Sequence, residues 1–189
     1  PKCTRTINKK YGPHGIDLIK RNDGRYQLGV INHYPDESIE MFEMVKKENS
    51  WDMVWRGCID VPYEFYFNDI SLRKNGGFYA SHMYDREITL NEWLFVSKIK
   101  SDTGFLVEWI ENRFKKIDGS DGSGPNGIAL DEDSNIIYIN YNQGDSITKF
   151  DLSLNKKLDE KFIEAPDNPY IYGNDIWITS LDFQPNDFG

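Results

Sequence analysis

One phrase returns four times along this chain, and it limits the folds open to it. "HGIDLIKRNDGRYQLGVINH" from His14, "NDISLRKNGGFYASHMYD" from Asn68, "NGIALDEDSNIIYINYN" from Asn126 and "DNPYIYGNDIWITSLD" from Asp167 share one plan. Each has a polar anchor, a short alternating strand, a turn rich in Asn, Asp and Gly, and a second strand with aromatic or β-branched residues. That is a hairpin with a polar entrance. With His14, Asn68, Asn126 and Asn168 as anchors the intervals are 54, 58 and 42 residues, close to the roughly 40 to 50 residues of propeller repeats.

Room remains between anchors for a second strand pair. "SIEMFEMVKK", a turn at Glu48-Asn49-Ser50 and "WDMVWRGCI" form one outer hairpin; "GFLVEWI", Glu111-Asn112 and "RFKKI" form another. Two hairpins per unit make a four-stranded blade. "SIEMFEMVKK" and "ITLNEWLFVSKI" are each also compatible with a helix, the second as an insertion over one face. The expectation is an all-β fold: one partial β-propeller domain over 1–189, with units starting near 14, 68, 126 and 167, about four blades' worth of a larger ring.

Charge and composition remove whole classes of function. The net charge is −9 and basic residues gather only in pairs such as Lys9-Lys10 and Lys115-Lys116, so the clusters that neutralise nucleic-acid phosphates are missing. No apolar run approaches the ~18 residues of a membrane span, and no charged-then-apolar leader opens the chain. Cys3 and Cys58 are too few for a disulfide scaffold and lack Cys-x-x-Cys spacing; one bridge between them is open to the chain, but buried free thiols are the expectation.

The first strand of each propeller blade lines the central channel, so residues at its entrance converge on one face. His14, Asn68, Asp69, Asn126, Asp167 and Asn168 would then form a ring of mainly neutral amide oxygens, a donor set suited to calcium rather than zinc. Asn before Gly or Asp is also a common turn signal; only the shared phase of these residues argues for the ring. Linear calcium loops fail. "DEDSNI" puts Ile136 at the glycine position and Asn142 where the closing Glu belongs, and "DGSDGSG" puts Ala129 at the twelfth place; both are solvated turns. No Gly-x-Ser-x-Gly elbow, phosphate loop or His-Glu-x-x-His occurs, which leaves attack by water. All three histidines, His14, His33 and His82, lie at ends of the repeated hairpins.

"PHGIDL", "VINH", "FNDISL", "GPNGIALD" and "APDN", in this order from about Pro13 to Asp182, resemble the paraoxonase/arylesterase family and its senescence-marker-protein/gluconolactonase relatives. The resemblance implies a six-bladed calcium propeller. It implies that His14 and His33 form a water-activating dyad, and that Asn68, Asn126, Asp167 and Asn168 bind a catalytic calcium. Asp69 and the main-chain oxygen of Ile16 would bind a second, structural calcium, and His82 falls near a further active-site histidine, as a substrate-binding residue. Gluconolactonase-type relatives use an acidic base, so the base stays open between the dyad and a carboxylate. The family's acidic calcium ligand from a preceding blade has no counterpart before His14, and four units fall short of six, so the chain is expected to be a fragment.

The reading that follows is a calcium-dependent hydrolase of lactones or aryl esters. The alternative is a non-catalytic calcium-stabilised propeller that binds a small ligand or a protein; a plain β-domain with turn asparagines would bind no calcium. Expected partners are a small lactone or ester, with no nucleic acid, no transmembrane segment and a monomeric complete protein; the compartment stays open, a secreted or periplasmic protein with its leader outside this chain being one option.

Overall fold

The structure, a computed structural model, describes residues 10–181. The described residues form three four-stranded antiparallel sheets and one hairpin. The first sheet holds β1 (Pro13–Lys20), β2 (Tyr26–Asn32), β3 (Ser38–Lys46) and β4 (Trp51–Asp60); the second holds β5 (Phe67–Leu72), β6 (Phe78–His82), β7 (Phe105–Ile110) and β8 (Arg113–Lys116). β9 (Pro125–Asp131), β10 (Ile136–Tyr141), β11 (Ser146–Asp151) and β12 (Lys156–Phe162) make the third, and β13 (Pro166–Tyr172) pairs with β14 (Asp175–Ser180). Every sheet is a simple meander. The first strands pack side by side, β1 on β5, β5 on β9 and β9 on β13, which is how propeller blades line an axis.

The two segments compatible with either helix or strand went different ways. "SIEMFEMVKK" supplies β3, because Ile39 pairs with Ile31 on one side and Ile59 on the other and is fully buried among them. Glu40 in that strand is buried, and the Trp55 indole (2.7 Å) and the Ser38 hydroxyl (2.9 Å) both donate to its carboxylate. "ITLNEWLFVSKI" contains the helix α1 (Leu90–Lys98), inserted between β6 and β7. Thr89 and Glu92 close a capping box on its first turn, satisfying amides that have no partner within the helix.

Apolar side chains fill the spaces between sheets. Ile31, Ile39, Ile59, Phe67, Ile70 and Phe78 lock the first sheet to the second; Leu106, Ile128, Ile137, Ile139, Tyr141 and Phe150 lock the second to the third. Two carboxylates add polar staples between inner strands: the half-buried Asp17 accepts from the Leu72 amide (2.7 Å) and the buried Asp69 from the Ile128 amide (2.9 Å). At the hairpin turns, Glu111 and Asn112 both take positive φ, the geometry that matches the twist of a two-residue loop. "DEDSN" is a turn as well, with Asn135 at φ 55° and Ser134 donating to Asp131.

Cys58 corrects the expectation of free thiols: it is disulfide-bonded. Composition cannot reveal such a pairing, because it depends on which Cα atoms the fold brings within bridging distance.

Candidate functional site

The same irregularity interrupts all four inner strands at their entrances. On β1 the pairings Pro13 with Asn32 and Ile16 with Val30 leave His14 and Gly15 opposite the single residue Ile31. On β5, Asn68 and Asp69 stand opposite Ser81; on β9, Asn126 and Gly127 stand opposite Asn140; on β13, Asp167 and Asn168 stand opposite Thr179. Each is a two-against-one β-bulge, which frees its residues from the regular ladder and re-aims their side chains. Register therefore puts Asp167, not Asn168, in phase with His14, Asn68 and Asn126.

The second bulge position faces the main chain of the next blade, and its residue is chosen accordingly. A Cβ on Gly15 would lie 2.5 Å from the Asn68 carbonyl and the Asp69 Cα; one on Gly127 would lie 2.7 Å from the Asn168 Cα and closer still to the Asp167 carbonyl. Neither glycine has a positive φ, so Asn126-Gly127 is not a turn, and its glycine serves close approach between inner strands. Asp69 fills the equivalent place with a carboxylate that bonds the next blade. The facing residues hold the bulges: Ser81 accepts from the Asp69 amide (3.0 Å) and donates to the Asn126 carbonyl (2.5 Å), Asn140 donates to the Asp167 carbonyl (2.7 Å), and Thr179 accepts from the Asn168 amide (2.9 Å).

Between the inner strands lies a cavity of about 480 Å³, lined by His14, Ile16, Asp17, Asn68, Asp69 and Asn168 among others. Asn126 is buried beside it, 6% exposed, and its side-chain oxygen has no hydrogen-bond partner among the described residues. Burial pushes the Asp69 carboxyl up to about 7 against the pull of the two amides it bonds, and burial raises Asp17 as well. Among the described residues no three His, Cys, Asp or Glu side chains cluster as a metal site; the donors here are mainly amide and main-chain oxygens.

His14 and His33 meet across the first blade. His14 Nδ1 lies 2.8 Å from His33 Nε2, and His33 Nδ1 lies 2.6 Å from a carboxylate oxygen of Glu37, which is buried. An ionised carboxylate only accepts, so Glu37 sets His33 to donate from Nδ1 and accept at Nε2. His14 then donates from Nδ1 and keeps a lone pair on Nε2. Crowding and the adjacent His33 hold the His14 pKa below its ordinary value, while Asp167 and Glu37 oppose the shift.

His82 stands elsewhere. It is 5% exposed, does not line the cavity, and packs against Phe65 and Phe105. Its Nδ1 accepts the Tyr66 amide at 3.0 Å, and burial lowers its pKa. The Tyr66 ring in turn stacks on His33, with centroids 4.7 Å apart and planes 14° off parallel. Glu37 and Tyr66 were not singled out from the sequence. The four-residue spacing of His33 and Glu37 is a weak signal, and no local pattern announces the Tyr66 stack.

A family model, Arylesterase, matches residues 3–168. The chain belongs to the arylesterase family. Among solved structures, a luciferin-regenerating enzyme is similar at 16% identity and a TM-score of 0.50, over 93% of this chain and 56% of that one. That likeness supports the fold alone: arylesterase-family blades in a β-propeller, of which this chain spans just over half that relative's length. No curated protein matches. The arylesterase match ends at Asn168, the last residue of the fourth bulge.

Proposed function

We propose that this chain carries the reaction centre of a calcium-dependent hydrolase acting on aryl esters or lactones. The observation that carries the reading is the His14–His33–Glu37 chain of contacts, which ends within an entrance built from four equivalent bulges. His14 Nε2, neutral at pH 7, is suited to take a proton from water while His33 accepts from His14 and Glu37 stabilises the charge that develops. Tyr66, held by His82, keeps the His33 ring in plane. His82 thus supports the dyad from beneath rather than touching substrate.

The residues fit calcium. The Asn126 oxygen, the buried Asp69 carboxyl and the half-buried Asp17 carboxyl are oxygen donors with no cationic side chain paired to them among the described residues, as a hard cation requires. Asn68, Asn126, Asp167 and Asn168 would hold a catalytic ion, and Asp69 with the Ile16 carbonyl a structural one. Calcium bound there would polarise a carbonyl and stabilise oxyanion charge. The disulfide at Cys58 supports an oxidising compartment; among the described residues no helix is long and apolar enough to cross a membrane.

The test is an assay of phenyl acetate and a lactone panel on the complete reading frame, with calcium and with chelator, for wild type, His14→Gln and Asn126→Ala. Calcium-dependent turnover lost in both variants is expected. Calcium stabilisation without turnover of any ester or lactone would make it a binding module, and indifference to chelation would remove the metal ring.

A further inference from the structure

Residues 61–66 join β4 to β5 and carry Tyr66 onto His33, and residues 83–89 lead from β6 to α1. The second segment grips the first. Asp85 builds a turn with Arg86 and Glu87 at its centre, accepting from the Glu87 amide through its carboxylate (2.8 Å) and from the Ile88 amide through its carbonyl (3.1 Å). Arg86 Nη2 donates to the Phe65 carbonyl (2.5 Å) and the Pro62 carbonyl (3.4 Å), and the guanidinium carbon lies 4.9 Å from the centre of the Tyr63 ring. The Tyr63 hydroxyl in turn donates to Glu87.

The bond to Phe65 falls on the one peptide unit that aims Tyr66. A peptide is planar, so its carbonyl and the following amide turn together. The Phe65 carbonyl is held by Arg86 and the Tyr66 amide by His82 Nδ1 (3.0 Å), so the unit between them is anchored at both ends. The Met83 amide then donates to the Tyr66 carbonyl (3.1 Å). From this fixed main chain the Tyr66 ring makes near-parallel contacts with His33 (4.7 Å, 14°) and Tyr84 (5.5 Å, 20°). Without the carbonyl anchor the peptide can rotate, and the ring that packs on His33 tilts with it.

We propose that Arg86 is a positioning residue for the His14–His33 dyad: by anchoring the peptide unit before Tyr66 it keeps the Tyr66 ring stacked on His33. Arg86 acts through Tyr66 and touches neither substrate nor the reacting atoms. Its effect on catalysis rests on the hydrolase reading, whereas the stack can be observed without turnover.

Proton NMR of the His33 ring, assigned with His33→Gln, tests this alongside phenyl acetate kinetics on the complete reading frame. Tyr66→Leu defines the unstacked signals, because a tyrosine ring shifts protons above its face upfield. Arg86→Met is expected to move the His33 signals at least halfway to those of Tyr66→Leu. It should lower kcat about 10- to 100-fold and leave KM within about twofold, since a small misplacement of a reacting group acts on the chemical step. Arg86→Lys keeps the charge and a donor without the planar fork, so both effects should be smaller, and it still reports if Arg86→Met fails to fold. His33 signals unmoved in a folded Arg86 variant, or a KM change without a kcat change, would overturn the proposal. Wild type that turns over no ester, with the His33 signals still moved by Arg86→Met, would strike the hydrolase reading and leave Arg86 as the holder of the stack.

Discussion

Gly127 in β9 lies against the Asp167 main chain in β13 so closely that any side chain at 127 would enter the volume of the Asp167 carbonyl. Because the obstacle is backbone, the strain cannot be relieved by a rotamer change. Gly127→Ala is expected to cost about 3 kcal/mol, the upper part of the range for overpacking, and to part the third sheet from the following hairpin. Gly24→Ala is the control: its φ is 83° but its surroundings are open, so only the left-handed backbone is penalised, about 1 kcal/mol. Urea unfolding midpoints compare the two, and equal losses would contradict the close-packing account.

Glu37→Gln keeps size and one acceptor but removes the charge that orients His33. If the proposed relay operates, kcat toward phenyl acetate falls roughly 10- to 100-fold, a share of what a positioned general base supplies, while KM changes little. A KM effect alone would mean that Glu37 shapes the pocket and takes no part in proton transfer.

Asn126→Ala separates metal binding from packing. With chelator present, the variant should be as stable as wild type or slightly more so, because it deletes a buried oxygen that no group among the described residues satisfies. With calcium at about a hundred times its dissociation constant, wild type should gain about 2.7 kcal/mol and the variant much less. Thermal unfolding with and without calcium measures both, and an equal gain in the two proteins would exclude Asn126 as a ligand.

His82 gives stability a pH dependence of known sign. Burial lowers its folded pKa below the ordinary 6.5, so the unfolded chain binds its proton first. Its contribution is fully present above pH 6.5 and declines as pH falls from 6.5 through the lowered folded value. The drop in Tm between pH 7.5 and 5.5 should therefore be smaller in His82→Gln than in wild type; identical drops would show that His82 does not titrate in this range.

The hairpins, their two-residue turns and the repeat of polar entrances could be read from residue order because alternation and turn chemistry act over a few neighbours. The His14 and His33 pairing was legible through a family likeness, and the structure puts their ring nitrogens 2.8 Å apart. Local pattern failed where a choice depended on what lies across a sheet or in the next blade. β3 is a strand because Ile31 and Ile59 flank Ile39, whereas α1, with no buried residue, follows its own capping box. Hydrogen-bond register alone decided that His14, Asn68, Asn126 and Asp167 share a phase, since a bulge exists only relative to a partner strand. The same holds for Glu37, whose place under His33 is made by chain reversal after β2, and for Gly127, whose reason is a neighbour forty residues away in sequence.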